Sequence, residues 1–205
     1  AMDPQQRLLL ELGYAALHSA GETRAGMMNS DAGVFLGIMN TDFLLMDKTH
    51  SVYAATGGAT SIASGRLSFA LGLHGPCMSL DTACSSALVA LHAAIAPLRA
   101  GECSRAIVAA ANLMLAPGPA VAFARAGMLA VDGRCKTFDA RANGYARGEG
   151  VGAGVFALGR HSVQMSTEVM GSSVRQDGRS ASLTAPNGRA QQVLLESALR
   201  CAGVQ

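Results

Sequence analysis

The stretch from Gly75 to Arg99 constrains the fold of this chain more than any other. A Gly-Pro pair interrupts the chain, and Cys77–Leu80 then has the pattern of a short buried strand. The residues of Ala83–Arg99 are almost all small or apolar, with three larger ones at helical spacing: Leu88, Leu91 and Ile95. The stretch therefore predicts a strand that turns sharply into a buried helix, with Cys84 at the turn.

The position of Cys84 at the start of a helix makes it a candidate nucleophile. Asp81 and Thr82 are both N-cap candidates, and the unpaired N–H groups of the first helical turn would surround the sulfur. The positive end of the helix favours thiolate over thiol, and the same N–H groups would stabilise a developing oxyanion. The alternative is a buried structural cysteine, the commonest role of a free cysteine. Position alone leaves both interpretations open, because no base is evident.

Strands and helices alternate along the chain, which predicts an α/β fold with helices packed on a sheet. Besides the elements around Cys84, the patterns predict strands at Gly33–Met39, Arg105–Leu115, Glu149–Leu158 and Glu168–Val174, helices at Gln5–Ala20, Val121–Met128 and Gln191–Ala202 with a short one in Thr56–Gly65, and loops at Gly21–Asp31 and Arg175–Pro186. Pro97 is expected to kink or end the helix that follows Cys84. The alternate glycines from Gly148 to Gly154 fall inside a strand, so they do not form a dinucleotide-binding turn.

The composition argues against nucleic-acid, metal and membrane functions. The formal charge is +2, from 16 basic and 14 acidic residues, and without a run of Lys or Arg nucleic acid is not an expected partner. The five cysteines form no CxxC pair and the histidines no cluster at ligand spacing, so neither a disulfide framework nor a metal site is predicted. Ala106–Ala124 lacks charge, but Asn112 and Pro117-Gly-Pro119 split it, so no membrane span is predicted.

Five ordered blocks resemble the β-ketoacyl synthases, in the branch of polyketide synthases and animal-type fatty acid synthases. They are Met2–Glu11, Gly65–Phe69 with Leu71–Pro76, Asp81-Thr-Ala-Cys-Ser-Ser86, Lys136–Gly150, and Leu183–Gly188 followed by Gln191. The third resembles the family's active-site signature, and the fourth its KTFD…GY.RGEG block. Because the blocks keep the family's order over nearly the whole chain, the chain is identified as a member of this family.

The resemblance implies the thiolase-like fold, a layered αβαβα sandwich built from two similar halves. Residues 1–160 are expected to form most of the N-terminal half, without its first strand, and residues 161–205 the start of the C-terminal half. Family members are homodimers in which the strand before the nucleophile pairs across the dimer axis, which would place Cys77–Leu80 at that interface. A soluble protein of the cytoplasm or of an organelle stroma is expected.

The resemblance also implies the chemistry. Cys84 would accept an acyl chain as a thioester, and a carrier-bound malonyl unit would lose carbon dioxide and attack it in a Claisen condensation. The substrates would be carried on the phosphopantetheine of an acyl carrier protein, the expected partner, with no cofactor bound directly. Two second-half histidines assist in the family, and their blocks are absent from this sequence. His74 and His92 do not match them and are expected to be structural, as are the remaining histidines.

Several residues of the matching blocks have other expected roles. Arg147 and Glu149 are expected to form a buried ion pair that braces the site. Asn143 stands where the family more often has Asp, which removes a charge. Three arginines are candidates for docking an acidic carrier protein: Arg66, Arg134 and Arg141.

Alternative functions remain open within and beyond this family. Residues 1–205 alone are expected to accept an acyl group without completing a condensation. One alternative is a domain that loads or passes acyl groups without extending them, and another is a silent scaffold that dimerises. The intact Asp81–Ser86 block argues against a scaffold, which does not need a reactive thiol. A cysteine hydrolase would require a nearby histidine, which the sequence does not supply.

Overall fold

The computed structural model describes residues 2–39, 42–46, 52–159 and 167–204, and a mixed sheet lies at its centre. Within these ranges the strands are β1 (Gly33–Ile38), β2 (Cys77–Leu80), β3 (Arg105–Asn112) and β4 (Gly150–Ala157). Their spatial order is β2-β1-β3-β4. β1 is parallel to both of its neighbours, whereas β4 runs antiparallel to β3. The parallel strands β1 and β2 therefore end at the same edge of the sheet, the edge from which the chain enters the Cys84 turn.

Helices cover both faces of this sheet, as the alternating pattern predicts. They are α1 (Pro4–Ser19), α2 (Arg24–Met27), α3 (Asp42–Met46), α4 (Ala54–Gly58), α5 (Thr60–Leu71), α6 (Ser86–Ala100), α7 (Pro117–Arg125) and α8 (Gly188–Cys201). α1 and α5 pack against one face of the sheet, and α6 packs against β1 and β3 on the other. The described residues thus form three layers, helix on sheet on helix.

The core is divided by the sheet into two clusters of apolar side chains. Leu9, Leu36, Leu67 and Ile107 are among those on the side of α1 and α5, and Phe35, Ala90, Ala94 and Val108 are among those on the side of α6. Consecutive residues of β1 enter opposite clusters, because side chains of a strand alternate between its faces. All six residues of β1 are buried, which explains its continuous apolar sequence.

Several predicted elements differ from the observed ones. The strand predicted at Glu168–Val174 is wrong: the segment forms no strand and pairs with none among the described residues, and Gly171 lies against the backbone of Ala202. β2 is not buried: Cys77 is exposed and the other three residues are half-buried, because β2 is one of the two outer strands of the described sheet. α5 is a single helix that continues through Gly65–Phe69, beyond the short helix predicted in Thr56–Gly65. The loop predicted at Gly21–Asp31 contains α2. α7 begins earlier than predicted, at Pro117, because proline favours the first helical turn.

Pro97 lies inside the last turn of α6, which ends at Ala100 with Gly101 in the left-handed conformation. The segment Ala83–Ala100, with a mean hydropathy of 1.4, is long and apolar enough to cross a membrane by length and composition alone, although 22% of it is buried. In the structure this segment includes α6, whose Ala90, Ala94 and Leu98 pack in the core. One helix of this length and composition is weak evidence for a membrane span.

Arg66, one of the three predicted docking residues, is half-buried and hydrogen-bonds to two other helices of the fold. Its Nε donates to Oε1 of Gln6 at 2.7 Å, and its Nη2 donates to the carbonyl of Thr56 at 2.6 Å. Gln6 is only 2% exposed and also donates from Nε2 to the carbonyl of Ala59. Arg66 therefore joins α5 to α1 and to α4.

Arg66→Ala is expected to lower the free energy of unfolding by about 1–3 kcal/mol, because it removes the charged donor of a buried amide oxygen. Urea unfolding, followed by circular dichroism, measures the change. Arg134→Ala is the matched control, because Arg134 is exposed and has no ion pair within the described ranges; its effect should stay within about 0.5 kcal/mol. Equal effects of the two substitutions would contradict the role given to Arg66.

Candidate functional site

Cys84 lies in an exposed turn between β2 and α6. The helix begins at Ser86, three residues later than the sequence predicts, and Ser85 occupies the N-cap position without a side-chain capping bond. The prediction that Asp81 or Thr82 caps the helix is therefore wrong. Asp81 Oδ1 instead accepts the N–H of Ala83 at 2.9 Å, which holds the turn itself.

The residue before Cys84 has an unusual backbone conformation. Ala83 has a φ of 56°, in the left-handed region, which costs a residue with a Cβ roughly 1–2 kcal/mol. Its N–H is bonded to Asp81 and its carbonyl accepts from the N–H of Ser86 at 3.1 Å and from Ser86 Oγ at 2.6 Å. Strain of this kind persists only where surrounding contacts fix the conformation, as they do here.

The first turn of α6 offers fewer free N–H groups than the sequence predicts. The N–H of Ser85 donates to the carbonyl of Thr82 at 3.3 Å, and the N–H of Ser86 donates to the carbonyl of Ala83. For Ala87 and Leu88, no backbone hydrogen bond is made to another residue in the described part of the chain. These two N–H groups therefore remain as donors at this helix terminus.

Gly37, near the end of β1, brings the start of α6 against the sheet. A Cβ at this position would come within 2.6 Å of the Ala87 nitrogen and 2.7 Å of the Ser86 carbonyl oxygen. No side chain other than hydrogen fits there. The contact places the Cys84 turn at the edge where the parallel strands β1 and β2 end, the edge at which open α/β sheets bind their ligands.

The histidines of the described residues do not form a pair with Cys84. His92 Nδ1 lies 2.9 Å from Ser172 Oγ, which joins α6 to the segment before α8. His74 is exposed, and its backbone N–H donates to the carbonyl of Ser30. Two histidines, His50 and His161, lie outside the described residues. The part of the chain that the structure describes therefore supplies a thiol at a turn, without a hydrogen-bonded base.

The segment from Asp132 to Glu149 is fixed to the rest of the fold by polar contacts. Arg147 and Glu149 do not form the predicted ion pair: the Arg147 guanidinium lies 5.4 Å from the ring centre of Phe123, and Glu149 Oε1 accepts the N–H of Met114 at 2.6 Å. Arg147 packs on a ring of α7, whereas Glu149 bonds to the backbone of the segment just before α7. The prediction of a buried pair bracing the site is thus wrong.

Asn143 takes part in a hydrogen-bonded network despite lacking the family's charge. Lys136 Nζ donates to Asn143 Oδ1 and to Asp132 Oδ1, at 2.7 Å in each case. The hydrogen bond from Lys136 lowers the pKa of Asp132 below its ordinary value. Arg141, one of the three predicted docking residues, is exposed and paired with Asp139 at 2.7 Å, whereas Arg134 is exposed.

Lys136→Met is expected to lower the melting temperature near neutral pH and to have a smaller effect in acid. Because the folded-state pKa of Asp132 is lowered, its ionised carboxylate stabilises the fold above the unfolded-state pKa of about 3.9. This stabilisation is lost as the pH falls through the folded-state pKa. The bond to Asn143 does not titrate, so part of the difference should persist. Melting curves of both proteins between about pH 7 and pH 2.5 test this linkage; a difference independent of pH would show that Asp132 does not contribute.

Two features of the site were not singled out from the sequence. A glycine inside an apolar strand is a known sign of close backbone approach, and this sign could have identified Gly37. Ser86 belongs to the block around Cys84, but only the folded turn shows its hydroxyl between two backbone groups. Among the described residues no cluster of histidine, cysteine and acidic side chains could hold a metal ion. A groove of about 1400 Å³ runs along β4 between α1 and α6, and Cys84 does not line it.

Comparisons with known proteins connect this arrangement to one family. The family described as "Beta-ketoacyl synthase, N-terminal domain" matches residues 1–161. A phenolphthiocerol/phthiocerol polyketide synthase from Mycobacterium tuberculosis is 44% identical over 209 residues, which cover 97% of this chain and 10% of that protein. Polyketide synthase GfsB of Streptomyces halstedii is 47% identical over 207 residues, covering 97% of this chain and 4% of that protein.

Solved structures give the same result. The ketosynthase from module 6 of the bacillaene synthase of Bacillus subtilis 168 superposes with a TM-score of 0.91 at 35% identity, covering 99% of this chain and 36% of that one. The oxazolomycin ketosynthase domain OzmH KS7 of Streptomyces albus JA3453 has a TM-score of 0.85 at 32% identity and covers 99% of this chain and 38% of that one. The chain thus spans 10% or less of these curated relatives and less than two fifths of these ketosynthase structures.

Proposed function

Because the chain belongs to the β-ketoacyl synthase family, as part of a ketosynthase domain of the polyketide synthase type, we propose that Cys84 is its acyl acceptor. The helix–sheet–helix layers form part of the thiolase-like fold that the sequence predicts, since the chain superposes on about a third of a solved ketosynthase. Membership of this family implies that the chain is part of an acyl-transferring enzyme. The residue that carries the acyl chain and the identity of the reaction are proposals that rest on the geometry of the Cys84 turn.

The observation that carries the proposal is an exposed thiol beside a strained residue at a helix start. The Cys84 thiolate would attack the carbonyl of an acyl thioester, forming a new carbon–sulfur bond, and the thiol of the donor would leave with a proton. The free N–H groups of Ala87 and Leu88 are hydrogen-bond donors at the same helix end, where developing negative charge is stabilised. Orientation of the thiol by a fixed turn lowers the barrier by reducing the entropy lost in attack.

The rest of the reaction is proposed from the family. A malonyl unit on the phosphopantetheine arm of an acyl carrier protein would lose carbon dioxide, and its carbanion would attack the Cys84 thioester. A carbon–carbon bond forms and the cysteine sulfur leaves. Histidines of a second half would assist. No cofactor would be bound directly, since both acyl groups arrive as thioesters.

We further propose the domain organisation and assembly. Residues 1–160 would form the N-terminal half and residues 161–205 the start of the C-terminal half. The outer edge of β2 has no neighbouring strand within the described residues, and Cys77 there is exposed. This edge supports a homodimer formed through Cys77–Leu80. The domain would act as a soluble enzyme in the cytoplasm or an organelle stroma.

The test uses the whole polyketide synthase polypeptide that contains this chain. The protein is incubated with an acyl N-acetylcysteamine thioester, a small mimic of the carrier-bound substrate, and its peptides are analysed by mass spectrometry. The acyl group is expected on the peptide that contains Cys84, and addition of malonyl carrier protein is expected to release it as a β-ketoacyl product. Loading without product formation would indicate the non-elongating alternative. An unmodified Cys84 peptide would reject the proposal in favour of a silent scaffold.

A further inference from the structure

A single buried hydroxyl spans the turn that presents Cys84. Ser86 Oγ accepts the N–H of Thr82 at 2.9 Å and donates to the carbonyl of Ala83 at 2.6 Å. Ser86 is 5% exposed, whereas its neighbour Ser85 is exposed. The Ser86 hydroxyl therefore joins two backbone groups that lie before Cys84 to the first residue of the helix after it.

These two bonds are not needed to start the helix. An N-capping side chain bonds to an N–H group of the first helical turn, whereas Ser86 is already the first helical residue and bonds backward to the turn. The carbonyl of Ala83 belongs to the peptide group that leads into Cys84. Fixing this carbonyl fixes the orientation of that peptide plane, and so the direction in which the Cys84 side chain leaves the backbone.

The strained conformation of Ala83 explains why such a restraint is required. An alanine released from these bonds would relax out of the left-handed region, which is unfavourable for any residue with a Cβ. Asp81 holds the N–H of Ala83. The Ser86 hydroxyl bonds the Ala83 carbonyl at 2.6 Å, a shorter contact than the 3.1 Å bond from the Ser86 backbone N–H. Relaxation at Ala83 would rotate the adjoining peptide and move the Cys84 sulfur.

We propose that Ser86 is a positioning residue for Cys84: its hydroxyl keeps Ala83 in the left-handed conformation and thereby aims the thiol. The proposal rests on the proposed function only in taking Cys84 as the acyl acceptor. Ser86 does not touch the reacting atoms. It acts through the two backbone groups that its hydroxyl bonds.

The test compares Ser86→Ala with Ser85→Ala in the whole polyketide synthase polypeptide. Ser85 is the matched control, because its exposed hydroxyl donates to the carbonyl of Thr82 at 2.8 Å and water can replace it. Three quantities are measured: acyl loading of Cys84 from the N-acetylcysteamine thioester, alkylation of Cys84 by iodoacetamide, and hydrogen exchange of the Thr82 amide. Loading requires a defined direction of attack, whereas alkylation by a small reagent does not.

In Ser86→Ala, loading is expected to fall by about tenfold to a hundredfold while alkylation changes less than about threefold. The Thr82 amide is expected to exchange faster because it loses its acceptor. Ser85→Ala should leave all three close to the unsubstituted protein. Equal loading in the two variants, or a parallel fall of loading and alkylation with loss of folded protein, would overturn the proposal.

The proposed function can fail separately. If Cys84 of the unsubstituted protein takes up no acyl group, the acyl-acceptor role is rejected, and the Thr82 amide still decides the role of Ser86. Faster exchange in Ser86→Ala than in Ser85→Ala would retain Ser86 as the residue that fixes the turn. Equal exchange would overturn that role as well.

Discussion

Cys84→Ala is expected to reduce the condensation rate of the whole polyketide synthase by a factor of about 10³ or more, as removal of a covalent nucleophile does in other enzymes. The physical reason is that no other described residue presents a reactive group at this turn. Product formation from an acyl thioester and malonyl carrier protein, followed by mass spectrometry, measures the rate. The acyl group should also disappear from the peptide that contains residue 84.

Cys201→Ala is the matched control for this loss. Cys201 is also an exposed free thiol, but it ends α8 and has no strained residue beside it. Its substitution should leave both acyl loading and condensation unchanged. If the Cys84 variant retained acyl loading while the Cys201 variant lost it, the acyl acceptor would be Cys201 rather than Cys84. The geometry of the Cys84 turn would then not be the cause of reactivity.

The main elements of the fold could be predicted because their sequences are dominated by one local pattern. β1 is buried on both faces, so its continuous apolar run is unambiguous. α1 has its apolar residues at helical spacing and a proline in its first turn, and Asp3 accepts the N–H of Gln5 at 2.8 Å to cap it. In both elements the local preference and the final packing agree.

Features that depend on partners distant in sequence could not be predicted. Arg66 resembles any exposed arginine until α1 brings Gln6 against it, although the two are 60 residues apart. Glu168–Val174 is predicted as a strand, but a strand also requires a neighbour to bond, and the described residues supply none. Patterns of hydrophobicity predict which segments are buried and not which segments they meet.

The details of the site were harder to predict because several polar groups compete for the same backbone donors. The sequence offers Asp81, Thr82, Ser85 and Ser86 as hydrogen-bonding side chains within one turn of helix. In the structure Asp81 and Ser86 bond the two sides of Ala83, Ser85 bonds Thr82, and the helix begins later, at a position fixed by the close approach of Gly37. The cysteine itself could be identified from its block, whereas the groups that orient it required the fold.

Gly37→Ala is expected to lower the free energy of unfolding by about 1–3 kcal/mol, because the added methyl group overlaps the backbone of Ser86 and Ala87. The backbone of a helix cannot yield as a flexible side chain does, so the start of α6 must move away from β1. A shift of about 1 Å in the Cys84 turn should lower acyl loading by roughly a hundredfold. Urea unfolding and the loading assay measure the two effects on the same protein.

Gly65→Ala provides the comparison that separates crowding from the loss of a glycine. Gly65 lies inside α5, and a Cβ there would have no described atom within 4 Å. Its substitution should leave loading unchanged and raise stability by about 0.5–1 kcal/mol, since alanine is the better helix residue. If Gly37→Ala matched Gly65→Ala in both stability and loading, the contact between β1 and α6 would not control the position of Cys84. A loss of loading confined to Gly37→Ala would establish that this backbone contact, nearly fifty residues before the thiol in sequence, sets its reactivity.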